Sequence, residues 1–170
     1  MSGTNTRGLL QREIDYTPTV ICLAKVFEKE INLSLVHWVR NRLGIKLPPF
    51  FNRYEPGKEA LFTPQFTNSR PIDFNQQRDG DWQPPALGES ELVCKSFGRV
   101  KRLQDWNLRQ WNRLLGGWHV IRVTRNRAAH TEFVFGDVAI QLGKTLDKFA
   151  AQGIFQQMFR LKAKYRGEMN

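Results

Sequence analysis

Long apolar runs are missing from this sequence. No stretch approaches the roughly 18 consecutive apolar residues that a bilayer-spanning helix needs. The first residues carry no apolar core between a basic segment and a small-residue cleavage site. The chain therefore reads as soluble and cytoplasmic, with no membrane partner. Cysteine and histidine are scarce, at two and three among 170 residues. Cys22 and Cys94 lie far apart inside apolar-periodic stretches, where a reduced, buried thiol is expected over a disulfide. No Cys/His set has zinc spacing, no glycine-rich loop has a Walker or Rossmann pattern, and the acidic residues form no obvious metal-binding pair. Neither metal nor cofactor is expected.

Negative charge is also in short supply, with 16 Asp and Glu against 26 Lys and Arg and a net charge of +10. The imbalance is local. Residues 1 to 90 carry 11 basic against 10 acidic side chains, whereas residues 91 to 170 carry 15 against 6. A concentrated positive field speeds encounter with polyanions and gives salt-sensitive affinity for phosphate backbones. Charge alone does not choose among RNA, DNA, acidic protein and anionic lipid.

What is present is enough apolar material for one core: 41% hydrophobic residues, with five Trp and twelve Phe. The length suits a single domain over 15–165, after a polar lead-in at 1–14 and before a short tail at 166–170. In "YTPTVICLAKVFEKEINLSLVHWVRNRLG" Thr17 is placed to cap a helix, Pro18 to start it and Gly44 to stop it. Val20, Ala24, Phe27, Ile31, Leu35 and Trp38 recur every three or four residues as one apolar stripe. Such a helix, ~39 Å long at 1.5 Å per residue, favours an all-α bundle. His37 on it is expected to serve packing or the surface.

An insert at about 45–89 follows. Seven of the eight prolines fall between 48 and 85, with Gly57, Gly80 and many aromatics. Helix interiors are excluded over most of it, and it is too aromatic for a free linker, so an ordered flap or an interaction surface is expected, its aromatics packing against the bundle or stacking on unpaired bases. Helical signals return at Ser90, a plausible cap, with Gly98 a candidate break and Gly116-Gly117 a candidate stop. "WHVIRVT" alternates as a strand does, while Arg127, Ala128 and Ala129 favour helix. Asp137 is expected to cap a further helix, and a turn near Gly153 to lead into a last one.

The stretch "TRNRAAHTE" at 124–132 places Arg125, Asn126 and His130 within six residues. On a helix at ~100° per residue, His119, Arg122, Asn126 and His130 fall within about 40° of one direction, while Ile121, Thr124 and Ala128 point the other way. Arg125 lies about 100° off that centre, within reach of its long stem. Spacing alone leaves open a solvated face or a site. The residue types are those of RNA cleavage without metal: imidazole exchanges a proton with the 2′-OH or the leaving 5′-oxygen, and guanidinium holds the charge building on phosphorus. One histidine does not conveniently serve as both acid and base, so the set resembles half of a site.

"RNRAAH" resembles the signature of the HEPN superfamily: arginine, a polar residue, three variable positions and histidine. "LAKVFEKEINLSL" is similar to the opening helix of these domains, and "RNRAAHTEFVFGDVAIQL" to their motif helix, connector and next helix. The likeness covers roughly 17–44 and 90–160. It implies an up-down helical bundle that cuts RNA by 2′-OH transesterification at a homodimer interface, with Arg125, Asn126 and His130 in catalysis. It also implies a toxin or defence effector, restrained by a regulatory partner protein or an N-terminal sensor domain. His119 and Arg122, from the angular reading, and Arg127 beside them are candidates for RNA or phosphate contact. Two other readings stay open: a non-catalytic HEPN adaptor that dimerises and binds nucleic acid, and an all-α DNA-binding or scaffold domain.

Overall fold

The computed structural model describes residues 14–65, 70–100, 103, 106–130 and 133–169, with Val100 described by its backbone alone. The lead-in expected at 1–14 lies outside them, apart from Ile14. Helices dominate, and two small antiparallel ribbons accompany them.

The first helical run begins with α1 (Thr17–Ile31), continues through a π-helical turn (Asn32–Val36) and ends as α2 (His37–Arg42). The expected stripe from Val20 to Trp38 is buried throughout. Two details differ from the sequence reading. Thr17 is the first helical residue rather than the cap, and Asp15 Oδ1 accepts its N–H at 2.9 Å. The π turn inserts a residue that rotates the stripe, and Ser34 through Arg40 are then buried on every side. Cys94 is buried, and burial pushes its thiol pKa up. Cys22 is exposed, contrary to expectation, because it stands on the face of α1 opposite the buried stripe, with Lys25, Val26 and Lys29.

The segment between α2 and the next helix folds as ribbons. Strand β1 (Leu61–Phe62) pairs with β2 (Ile72–Asp73), and β3 (Gln76–Arg78) with β4 (Asp81–Gln83). Asp79 and Gly80 both have positive φ in the two-residue loop of the second ribbon, which suits the twist of a tight hairpin. The insert is fastened to the bundle by Arg40, whose side chain is fully buried. Its guanidinium donates to Phe50 O, Arg53 O and Asn75 Oδ1 at 2.8–3.1 Å and lies 4.2 Å from the centre of the Trp82 ring. His37, also fully buried, is sandwiched between the rings of Phe51 and Trp82 at 4.0 and 4.7 Å. Its Nε2 faces Asn52 Oδ1 at 3.1 Å, and its Nδ1 faces Arg40 Nη1 at 3.2 Å. Donation by the guanidinium to Nδ1 assigns the proton to Nε2 and leaves the ring neutral.

Helix α3 (Leu87–Val100) runs through Gly98, and Ser90 lies inside it; the start is held by Glu89 Oε2 accepting Ala86 N–H at 2.9 Å. Helix α4 (Leu108–His130) opens on a reciprocal cap, with Asn107 Oδ1 accepting Gln110 N–H and Gln110 Oε1 accepting Asn107 N–H. It passes without interruption through Gly116-Gly117 and "WHVIRVT", so neither the expected stop nor the strand-like alternative occurs. Helix α5 (Gly136–Ala151) starts at Phe135, with Asp137 inside its first turn. Gly153, at φ 70°, turns the chain into α6 (Ile154–Arg166). Helix α4 packs against α1, α3 and α5, while α6 packs against α5, α2 and the π turn. The core is contiguous, with Phe27, Trp38, Trp111, Trp118 and Phe149 among its largest members.

Candidate functional site

Helix α4 divides lengthwise. Trp111, Leu114, Trp118, Ile121 and Ala128 are buried on one side. Leu108, Asn112, Gly116, His119, Val123, Asn126 and His130 are exposed along the other. The buried side agrees with the angular expectation except at Thr124, which is half-buried because it sits toward the edge facing α5.

The last two turns of α4 carry the motif. Asn126 and His130 stand one turn apart in solvent, and Arg125 is half-buried beside them. Arg125 Nη1 donates to Asn126 Oδ1 across 3.4 Å, which ties these two loosely. Among the described residues no hydrogen bond joins His130 to either. The connector after the helix is strapped to the start of the first helical run: Tyr16 N–H donates to Val134 O at 3.0 Å, and Asp15 Oδ1 accepts Val134 N–H at 3.2 Å. Hydrogen bonds from Thr17, then from Val134, hold the Asp15 carboxyl pKa below its ordinary value. Val123, Phe133, Phe135 and Ile140 are exposed around this end, and Phe135 leaves 54% of its surface open. Phe133 and Phe135 meet edge to face at 5.1 Å.

His119 and Arg122, expected as RNA contacts, are joined to a residue that sequence reasoning missed. Glu91 of α3 receives Arg122 Nε at 2.6 Å on Oε2 and faces His119 Nδ1 at 3.2 Å through Oε1. Arg122 Nη2 also stands 3.1 Å from His119 Nδ1. Nδ1 therefore has a partner in either neutral tautomer. With a proton it donates to Glu91; without one it accepts from Arg122. The ring keeps its place in both states, and more than half of its side-chain surface remains exposed. Glu91 sits four residues before Lys95 on a face of α3 that offers no distinctive sequence signal, which is why it escaped notice. Gly88 allows this close pairing, since a Cβ there would meet Arg122 Cδ at 3.2 Å. Arg127 is exposed and borders a hollow with Thr124, Asp137 and Lys144, between α4 and α5.

A cleft of about 600 Å³ opens between α3 and α4, lined by Lys95 and Arg99 on one wall, by Asn112, Gly116 and His119 on the other, and by Trp111 beneath. Among the described residues, no three His, Cys, Asp or Glu side chains converge as a metal site would require. None of the described helices is long and apolar enough to cross a membrane. Comparison with protein-family models, curated proteins and solved structures gives no match.

Proposed function

We propose that this chain is a metal-independent endoribonuclease of the HEPN type that acts as a homodimer, with the C-terminal ends of two α4 helices facing each other across the scissile phosphate. The reading rests on the resemblance of "RNRAAH" to the family signature. The observation that carries it further is the solvent-facing placement of Asn126 and His130, with Arg125 alongside. An imidazole aimed into the protomer's own core could not reach a substrate. The apolar rim of Val123, Phe133, Phe135 and Ile140 gives a second copy something to bury around that site.

In this reading one His130 imidazole takes the proton of a ribose 2′-OH, and the freed oxygen attacks the adjacent phosphorus. The bond to the 5′-oxygen breaks, and the partner copy's imidazolium protonates that leaving oxygen. The products are a 2′,3′-cyclic phosphate and a 5′-hydroxyl. Arg125 would hold the charge gathering on the non-bridging oxygens, with its guanidinium steadied by Asn126.

The test uses an RNA strand containing one ribose in an otherwise deoxyribose chain. Cleavage beside that ribose, insensitive to a chelator and lost when it is replaced by deoxyribose, is expected. Arg125→Ala and His130→Ala should each lower the rate at least 100-fold, the scale of a lost acid-base or charge-stabilising group. Equal cutting at deoxyribose, or full activity in both variants, overturns the proposal. Intact dimers without cleavage under any condition would favour the adaptor reading.

A further inference from the structure

We infer that the cleft between α3 and α4 holds one unpaired nucleotide of a single-stranded RNA, at a distance from the bond that is cut. The polymer's identity rests on the ribonuclease reading; the cleft itself stands on separate observations.

Its volume of about 600 Å³ is in the range of pockets that enclose small ligands. Its depth comes from glycine. On α4, a Cβ at Gly116 would meet nothing within 4 Å, so that turn of helix leaves space where any other residue would project. On α3, Gly98 lets Trp111 lie flush against the backbone. The floor of Leu108, Trp111 and Leu115 is apolar and suited to the flat face of a base, and Asn112 offers both a donor and an acceptor to its edge.

The charge on the rim is one-sided. Lys95 and Arg99 stand on the α3 wall, and Glu91, the only acid among the described lining residues, is already engaged with Arg122 and His119. A neighbouring hollow of about 690 Å³ shares Leu108, Asn112 and Gly116 and adds Arg109 and Arg113. Cations thus flank both sides of the exposed α4 ridge. That ridge continues through His119 to Asn126, about 15 Å beyond Gly116 at 1.5 Å per residue, which a flexible strand spans within a few nucleotides. A cationic track beside an apolar seat is how single strands are held without reading sequence. A paired base, locked in its stack, does not enter such a cleft.

The experiment uses the full chain carrying His130→Ala, so that binding is read without cutting. A labelled single-stranded RNA, the same RNA in duplex form and a poly-glutamate competitor are compared by fluorescence anisotropy. Adding Gly116→Glu fills the cleft with a negative side chain at a position that accepts a Cβ, and an unchanged melting temperature confirms the fold. A loss of tenfold or more in single-strand affinity is expected, with a smaller loss and a shallower salt dependence for Lys95→Glu. Affinity unchanged by Gly116→Glu, equal binding of duplex, displacement by poly-glutamate as readily as by RNA, or no RNA binding by the His130→Ala chain overturns the inference. A cutting enzyme indifferent to Gly116→Glu would remove the cleft alone. A chain that binds through the cleft and never cuts would remove the ribonuclease reading alone.

Discussion

Gly117 of α4 lies directly against the ring of Phe149 from α5: a Cβ on Gly117 would fall among the ring atoms and also crowd Thr145. The Gly-Gly pair is therefore a packing device within an unbroken helix. One glycine admits an aromatic ring, and its neighbour Gly116 leaves a gap on the outer face.

The two glycines should respond to the same substitution with opposite signs. Gly116→Ala is expected to stabilise the fold by up to about 1 kcal/mol, the difference in helix preference between the two residues. Gly117→Ala forces Phe149 to move, and overpacking of this kind costs about 1–3 kcal/mol, which outweighs the same gain. Urea unfolding midpoints of the two variants check this. A Gly117→Ala protein as stable as Gly116→Ala would show that Phe149 is not held where it is described.

Arg40 should be among the most sensitive positions in the chain. Truncation to Ala strands Arg53 O, takes one of two donors from Phe50 O and from the Asn75 amide oxygen, which keep the N–H groups of Arg53 and Glu55, and removes the plate under Trp82. A loss of about 3 kcal/mol or more is expected for a buried, multiply bonded charge. Arg40→Lys should recover little, because an ammonium lacks the planar fork that spans these acceptors. Chemical denaturation of both variants measures the effect.

His37 should make the fold acid-sensitive. Burial first, opposed by the Asn52 bond and assisted by the Arg40 and Arg166 charges, lowers its pKa from 6.5 to about 3. The unfolded chain takes up this proton below about pH 6.5, whereas the folded chain resists until about pH 3. Stability from this group is therefore complete above that window and falls as the pH drops through it, by up to about 1.4 kcal/mol per pH unit. His37→Phe keeps a ring between Phe51 and Trp82 and removes the titration. Its unfolding free energy should be lower at pH 7 and fall less steeply between pH 6.5 and 4 than that of the parent chain.

Glu91 should restrain the basic face. Glu91→Gln removes the charge opposite Arg122 and His119, costing about 1–2 kcal/mol for this partly buried pair. It also releases a cation toward phosphate. RNA affinity should rise, and the slope of log affinity against log salt should steepen by about one. Binding titrations at two salt concentrations decide it; an unchanged slope would place Arg122 outside the RNA footprint.

The apolar stripe of α1 was legible because Val20 to Ile31 repeat with helical spacing and all turn inward. The hairpin at Asp79-Gly80 was not read, although an Asp-Gly pair is a local turn signal. What else escaped was long-range. The π turn at Asn32–Val36 changes the phase of the stripe, and nothing in "NLSLV" announces an extra residue. Gly98 and Gly117 look like helix ends until Trp111 and Phe149 arrive from elsewhere. In "LVHWVR" the apolar residues on all sides of His37 and Arg40 were a usable hint that these polar groups could not reach water. For the site, spacing placed Asn126 and His130 on an exposed face and Ile121 and Ala128 on a buried one, as the helix has them. It could not supply Glu91, whose relation to His119 depends on how α3 docks.

The guanidinium clamp at the end of the first helical run also limits how this chain can be shortened. Excising the proline-rich ribbons as though they were ornament would leave the Arg40 guanidinium with His37 Nδ1 alone among its described acceptors and would uncover the apolar side chains around it, so the trimmed polypeptide should aggregate.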